Sequence, residues 1–272
     1  MDALLAALAD ERSGVPLDVA ALELAELEYP RLDPEPSLQA LDRIASTAAD
    51  RMELNAGGAE FIEAVNHVLF QVCRFRANES DYYDPRNSFL NDVLTRRAGI
   101  PITLSVVYIE VARRLARPVF GVGLPGHFLV RYDDADFAAF LDPYHAGQVL
   151  TAAECHELAR SLTGVDTTTD PTALAPVSTR YVLVRMLNNL KSIYIRQERW
   201  DKLLPVLNLL LHALPGNADE HRTRGIAHLH LQRFREARAD LNRYLDLSPG
   251  AEDREAVGEE LKKIHRILAA LN

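Results

Sequence analysis

Residues 121–147, GVGLPGHFLVRYDDADFAAFLDPYHAG, place a histidine and an aspartate on either side of a run of turn-forming residues. Two apolar runs, residues 126–132 and 137–142, flank an acidic four-residue segment. Apolar runs joined by a short polar segment are typical of a β-hairpin. The stretch therefore predicts two antiparallel strands, with His127 near the start of one and Asp142 at the end of the other.

The hairpin also predicts a contact between these two polar side chains. Folding about its midpoint sets three pairs opposite each other: His127 and Asp142, Phe128 and Leu141, and Tyr132 and Phe137. Directly opposed residues have Cβ atoms roughly 4.5–5.5 Å apart, so the carboxylate can hydrogen-bond the imidazole and hold it in one tautomer. Such a pair is the orienting half of a catalytic triad, and it is also a common structural pair in sheets.

The composition limits the classes of partner. The chain has 272 residues, enough for two domains, and its 30 basic and 39 acidic side chains give a formal net charge of −9. An acidic balance argues against nucleic acids and anionic membranes as partners. No apolar run approaches a membrane span, and the first residues lack the basic segment of a signal peptide, so we expect a soluble, cytoplasmic protein.

The two cysteines, Cys73 and Cys155, are too few for a disulfide framework and do not have the spacing of metal ligands. We expect both to be buried free thiols, which fits a reducing compartment.

Helical and extended patterns follow each other along the first part of the chain. Apolar residues recur at helical spacing in residues 2–11, 17–30, 37–52, 59–75, 89–97 and 101–115, the last beginning with a proline. Three short apolar runs then predict strands at residues 118–123, 126–132 and 137–144. Strands joined by short turns favour an antiparallel meander packed on the preceding helix, and hence an α+β fold.

The last third of the chain repeats itself with a period of 34 residues, which is the tetratricopeptide period. The shift superposes Ile193 on Ala227, Trp200 on Phe234, Leu207 on Leu241, Leu211 on Leu245 and Pro215 on Pro249. Each unit is a pair of antiparallel helices whose apolar faces need a neighbour, so a helix at residues 253–271 is expected to cap the stack. His221, His228 and His230 do not share one helix face, and we expect no metal site there.

These patterns divide the chain into four parts. We expect a helical N-terminal subdomain at residues 1–80, an α+β core at 81–165, a linker rich in Thr, Asp and Pro at 166–179, and an all-α repeat domain at 180–272. The α+β core holds the histidine and the aspartate of the hairpin.

Four motifs in that core are similar to those of a known family: DYYDPRNSFLNDVL at 81–94, RRAGIPITLSVVYIEVARRL at 96–115, GVGLPGHFLVRY at 121–132 and FLDPYHAGQVL at 140–150. Together with RMLNNLKSIYIRQERWDKLLPVL at 185–207, they resemble the SirB-type transglutaminase-like family, in which that domain precedes tetratricopeptide repeats. The resemblance implies a papain-like core made of a helix and an antiparallel sheet.

The same resemblance implies a Cys-His-Asp triad with the cysteine at the start of a buried helix. His127 and Asp142 match the second and third members, but Pro101 stands where the cysteine is expected. Proline has neither a sulfur nucleophile nor an N–H group that could stabilise an oxyanion. The resemblance therefore predicts a remnant of the triad without its attacking group.

Two functional hypotheses remain. We favour a non-catalytic protein that acts as a protein-interaction or regulatory scaffold. The alternative is a peptide or amide hydrolase or acyltransferase in which Ser105 or Thr103 attacks with the help of the His-Asp pair. Cys73 lies in an apolar helical pattern, and Cys155 follows both other members in the sequence, so neither is a good replacement for the missing cysteine.

A metal site at His127, Asp142 and His145 is a third hypothesis. We do not expect it, because His145 follows a proline in a turn and the direction of its side chain cannot be read from the sequence. We therefore expect neither a metal nor another cofactor.

A protein or peptide partner is expected to bind the repeats, because the first helix of each pair lines a concave groove. That helix displays Arg185, Asn188, Asn189 and Arg196 in the first copy, and His221, Arg222 and His228 in the second. Asparagine and arginine side chains can bind the backbone and an acidic group of a peptide. The alternative is that the two asparagines close the groove against the first domain.

Overall fold

A computed structural model describes residues 1–53 and 55–270, and its contacts divide the chain into two compact units, Met1–Met186 and the residues from Leu187 onwards. In the first unit the helices are α1 (Asp2–Ala9), α2 (Leu17–Ala25), α3 (Glu35–Ala49), α4 (Gly58–Asn66, continued by a π-helical segment His67–Val72), α5 (Leu90–Arg96), α6 (Pro101–Arg114) and α7 (Ala152–Thr163). Its strands are β1 (Arg76–Ala77), β2 (Ala98–Gly99), β3 (Val119–Leu124), β4 (His127–Asp133), β5 (Ala138–Asp142) and β6 (Gln148–Leu150).

The predicted α+β class is confirmed in this unit. The strands β3, β4, β5 and β6 form an antiparallel meander in chain order, while β1 and β2 make a short parallel pair. As expected, α6 packs against β3 and β4, and it also contacts the turn that follows β5. Val122, Leu124 and Leu129 of the sheet form an apolar cluster with Cys155 of α7. Neither α7 nor β6 was predicted from the sequence.

The hairpin β4–β5 forms, but its predicted register was wrong by two residues. In the structure Val130 pairs with Leu141, so Asp142 is not directly opposite His127. Asp142 pairs instead with Gln148 of β6. The end of β5 is therefore held between two neighbouring strands.

The turn explains the difference in register. The carboxylate of Asp134 accepts hydrogen bonds from the N–H groups of Asp136 and Phe137, at 2.9 and 2.7 Å, so the turn closes one residue later than predicted. Because a shift by two residues keeps every side chain on its face of the sheet, Asp142 stays on the face of His127 as a diagonal neighbour. For this reason the predicted contact between His127 and Asp142 forms in spite of the changed register.

A buried ion-pair network joins α2 to α6. The carboxylate of Asp18 binds Arg113 and Arg114 at 3.0 and 2.8 Å, and Glu110 binds the same two guanidinium groups at 2.7 and 3.0 Å. Burial alone would raise the pKa of Asp18, but the guanidinium groups hold it below its usual value. Burial and the neighbouring Asp18 raise the pKa of Glu110. Loss of one partner would leave a buried charge uncompensated, so the network fixes the leading helices on the core.

The second unit is built from paired helices, as the 34-residue period predicted. α8 (Thr179–Arg196) runs into this unit, which continues with α9 (Trp200–Ala213), α10 (Ala218–His230), α11 (Phe234–Leu247) and α12 (Arg254–Ala270). The capping helix predicted at residues 253–271 corresponds to α12, and its last predicted residue, Leu271, lies outside the described residues. A Cβ atom on Gly225 of α10 would lie 2.9 Å from the side chain of Leu241 on α11, so glycine permits the close approach of this pair.

A buried carboxylate also joins α10 to α11. Asp240 accepts two hydrogen bonds from Arg224, at 2.8 and 2.7 Å, and its Oδ1 lies 3.1 Å from Nδ1 of His221. Both His221 and Arg222 were expected to face a groove. In the structure His221 contacts Asp240 and Arg222 binds Asp253, so both side chains have partners inside the second unit.

The expectation for the cysteines holds for one of them. Cys155 is fully buried and Cys73 is only half-buried, at the end of the π-helical segment, and both are free thiols. Within residues 1–53 and 55–270, no helix has the length and apolar character needed to cross a membrane.

Candidate functional site

The candidate site lies where β4 begins and β5 ends. His127 is the first residue of β4, Asp142 is the last residue of β5, and the segment Pro143–His145 forms a single 3₁₀ turn after it. Nε2 of His127 lies 2.8 Å from Oδ2 of Asp142, and Nδ1 of His145 lies 2.7 Å from the same oxygen. The structure thus brings together the predicted pair and adds a second histidine.

The carboxylate of Asp142 is held by four groups. Besides the two imidazoles on Oδ2, its Oδ1 accepts hydrogen bonds from the N–H groups of Tyr144 and His145, at 3.0 and 3.3 Å. Burial alone would raise the pKa of Asp142, but the hydrogen bonds and the charge of His127, followed by those of His145, hold it below its usual value. The group is therefore an anion at neutral pH, although it is 2% exposed.

Both the ring and the backbone carbonyl of His127 have neighbours that hold them in place. Tyr144 meets it edge-on and His145 stacks beside it, both with ring centroids 5.9 Å away. Its backbone carbonyl accepts a hydrogen bond from Arg185 at 3.4 Å, and the same guanidinium binds the carbonyl of Leu124. With Nε2 turned to Asp142, the neutral ring would offer Nδ1 as its basic atom.

The two hydroxyls proposed as replacement nucleophiles are fully buried and bind elsewhere. The Oγ1 of Thr103 donates to the carbonyl of Asn87 at 2.7 Å and accepts from the N–H of Ile100 at 3.2 Å. The Oγ of Ser105 lies 3.5 Å from the carbonyl of Phe128. Across the described ranges, no hydroxyl or thiol hydrogen-bonds His127.

Pro101 occupies the first position of α6, as the sequence predicted. The residue before it, Ile100, has extended backbone angles and serves as the N-cap. The hydroxyl of Thr103, in the first turn of the helix, accepts a hydrogen bond from the N–H of Ile100. Pro101 is itself buried.

Neither cysteine is an activated thiol. Burial, with smaller contributions from the negative charges of Glu154 and Asp142, raises the pKa of Cys155 to about 12. Burial also raises the pKa of Cys73, against a smaller opposing effect of Arg97. Both side chains are therefore protonated at neutral pH, and protonated thiols are poor nucleophiles.

The residues expected to bind a partner have different environments. Arg185 turns to the carbonyl groups of β3 and β4 described above, whereas Asn188 and Asn189 are half-buried and Arg196 is exposed. Lys191 on the same helix forms an ion pair with the buried Glu220 of α10.

Comparison with known proteins agrees with this architecture. A model of the transglutaminase-like superfamily matches residues 35–188, more than half of the chain, and a tetratricopeptide repeat model matches residues 190–262. The chain belongs to the transglutaminase-like superfamily. In this superfamily member the matched region contains the whole candidate site, and the repeats follow it directly.

Three relatives illustrate the range of similarity. A UPF0162 protein of Xylella fastidiosa is 40% identical over 249 residues, which cover 90% of this chain and 88% of that protein. A UPF0162 protein of Pseudomonas aeruginosa is 29% identical over 90% of this chain and 89% of its own length. The human F-box only protein 21 is 32% identical over 174 residues, which cover 58% of this chain but 26% of that protein.

His145 is the site residue that sequence reasoning set aside, because the direction of its side chain could not be read from the sequence. The structure fixes its direction, because Asp142 caps the short turn DPYH and the histidine three residues later folds back onto the capping carboxylate. An aspartate before proline is a known turn-initiating pattern, so the sequence did carry a signal for this geometry.

Proposed function

We propose that the protein is a non-catalytic, transglutaminase-like interaction scaffold, in which His127 and Asp142 are the remnant of a Cys-His-Asp triad. The observation that carries the proposal is the missing attacking group. Pro101 stands at the expected nucleophile position, and the hydroxyls of Thr103 and Ser105 are engaged with backbone groups. A His-Asp pair without a nucleophile in hydrogen-bond reach cannot start acyl transfer.

The remaining pair has a structural role in this proposal. Asp142 accepts hydrogen bonds from the turn that follows β5, and the imidazole of His127, at the start of β4, lies within hydrogen-bond distance of the same carboxylate. Buried anions of this kind are retained when they are fully paired. The pair therefore stabilises the end of the hairpin instead of activating a nucleophile.

The binding role is assigned to the tetratricopeptide repeats, with a protein or a peptide as the partner. Such repeats present the first helix of each pair to a partner, and here that helix carries Asn188, Asn189 and Arg196. Arg185 no longer belongs to this set, because its guanidinium binds the strand carbonyls of the first unit. The assignment to SirB-type proteins and a cytoplasmic location, which suits the two free thiols, are parts of the same proposal.

Steady-state turnover tests the catalytic half of this proposal. The full chain and its His127→Ala and Ser105→Ala variants would be assayed on a panel of acyl esters, amides and peptides. We expect equal background rates for all three proteins. Turnover by the wild type that both substitutions abolish, while circular dichroism reports intact folding, would refute the scaffold and favour the hydrolase or acyltransferase alternative.

A further inference from the structure

The side chains of His127, Asp142 and His145 bring two imidazole nitrogens and a carboxylate oxygen within 4.8 Å of one another. We propose that these three side chains form a binding site for a divalent transition-metal ion of the Zn²⁺ class. The proposal stands apart from the scaffold function, because it requires neither a nucleophile nor a partner protein.

The distances suit a shared ion. Zn²⁺ binds histidine nitrogen at about 2.0–2.1 Å and carboxylate oxygen at about 2.0–2.2 Å, so two ligands of one tetrahedral ion lie about 3.3–3.5 Å apart. Nε2 of His127 and Nδ1 of His145 lie 2.8 and 2.7 Å from Oδ2 of Asp142. Each of these pairs needs to open by roughly 0.5–0.8 Å to admit the ion.

The surroundings hold the ligands in this arrangement. The Oδ1 atom of Asp142 accepts hydrogen bonds from two backbone N–H groups, which orient the carboxylate without competing for Oδ2. His127 and Asp142 are buried, whereas the His145 side chain is 47% exposed, so the site is open to solvent on one side. Two nitrogen ligands and one oxygen ligand favour Zn²⁺, Co²⁺ or Fe²⁺ over Mg²⁺ and Ca²⁺.

The guanidinium of Arg185, which binds the backbone of His127, leaves the carboxylate of Asp142 available. Arg185 donates to the carbonyl groups of Leu124 and His127, and not to Asp142. In the second unit, Asp240 also has two neighbouring histidines, His221 at 3.1 Å and His228 at 3.7 Å, but both of its oxygens accept hydrogen bonds from Arg224. A bidentate arginine supplies the positive charge there, so that cluster serves as a matched control.

Calorimetric titration of the metal-free full chain with Zn²⁺ tests the site. We expect one ion per chain, and we expect His145→Gln to weaken binding by more than about tenfold, since loss of even an outer-shell partner typically costs 10–100-fold. His145 is the ligand chosen because it is the most exposed of the three. The His221→Gln and Cys73→Ser variants should keep the wild-type affinity, as they remove a histidine and a thiol outside the site.

A second measurement needs no variant. Paramagnetic Co²⁺ added to the wild type should shift the imidazole NMR signals of His127 and His145 and leave those of His221 in place. The proposal is overturned if no ion binds, if His145→Gln binds as tightly as the wild type, if either control variant loses binding, or if Co²⁺ leaves the two site signals unchanged.

Discussion

At the scale of single residues, the candidate site depends on Asp142 and on Pro101. The carboxylate of Asp142 contacts two imidazoles and accepts hydrogen bonds from two backbone N–H groups, which explains how it remains ionised in the interior. Pro101, which we propose stands at the nucleophile position, has neither an attacking atom nor an N–H group to offer at the start of α6. In the proposed function, this one residue is sufficient to separate the orienting pair from its chemistry.

Removal of the imidazole should measure what the pair contributes to stability. We expect His127→Ala to lower the free energy of unfolding by about 1–3 kcal/mol, because it leaves part of the buried Asp142 carboxylate without a donor. Urea denaturation in the presence of a chelator is the measurement. The exposed His265 provides the control, and His265→Ala should change stability by less than about 0.5 kcal/mol. Equal effects of the two substitutions would show that the pair does not stabilise the hairpin.

At the scale of secondary structure, the sequence predicted the hairpin and its His-Asp contact but not the register. Apolar alternation determines which face a side chain takes, and an even shift leaves that unchanged. The register itself depends on Asp134, whose carboxylate binds two N–H groups of the turn. A run of three aspartates around the turn offers no simple way to choose which one closes it, so the pattern alone placed the turn one residue early.

The helices were predicted more accurately than the short strands. The buried helix at α6 and the paired helices of the repeat follow from long periodic patterns, which carry many independent matches. The strand β6 has three residues, too few for a period to be recognised. The place of His145 depended on a local side-chain cap by Asp142, which hydrophobic periodicity does not contain.

A pH-dependent prediction belongs to the helix pair α10–α11. Asp240 is buried; burial alone would raise its pKa, but Arg224 and His221 hold that pKa below the usual value of 3.8. Because the folded pKa is lowered, the stabilisation is present above the unfolded value and is lost as the pH falls through the folded one. At pH 7 we expect Asp240→Asn to cost on the order of 3 kcal/mol.

Denaturation of the wild type and of Asp240→Asn at a series of pH values tests whether the stabilisation by Asp240 is lost as the pH falls. The difference between the two proteins should be largest near neutrality and should shrink as the pH falls below about 4. The exposed Asp246 on the same helix is the control, and Asp246→Asn should have little effect at any pH. A difference that stayed constant down to low pH would argue against a charge-dependent role for Asp240.

At the scale of the whole molecule, the chain joins a transglutaminase-like region to tetratricopeptide repeats. Both regions could be predicted from the sequence, because long motifs mark the transglutaminase-like region and a fixed 34-residue period marks the repeats. The role of Arg185 was not evident from the repeat pattern, since a helical position says nothing about a carbonyl group in another part of the chain. Its guanidinium donates to the carbonyl groups of Leu124 and His127, and for this reason the proposed binding surface leaves it out.

Paired substitutions on α8 separate these two roles. We expect Arg185→Ala to lower thermal stability while partner capture stays unchanged, because its guanidinium binds the carbonyl groups of Leu124 and His127 and the hydroxyl of Tyr181. We expect Asn189→Ala combined with Arg196→Ala to reduce partner capture with a smaller effect on stability. Cross-linking followed by affinity purification, beside thermal denaturation, provides both readouts. If the double variant lost stability and kept its partners, the groove would not be the binding surface.

Acylation of the protein by an activated ester, followed by intact-mass and peptide mass spectrometry, tests the missing nucleophile most directly. We predict that the wild type forms no acyl-enzyme at Ser105 or Thr103, and that Pro101→Cys forms a thioester at the new cysteine that is lost when His127→Ala is added. Cys73 and Cys155 should remain unmodified in each protein because their pKa values are raised. A wild-type protein acylated at Ser105 or Thr103 in a His127-dependent manner would contradict the account.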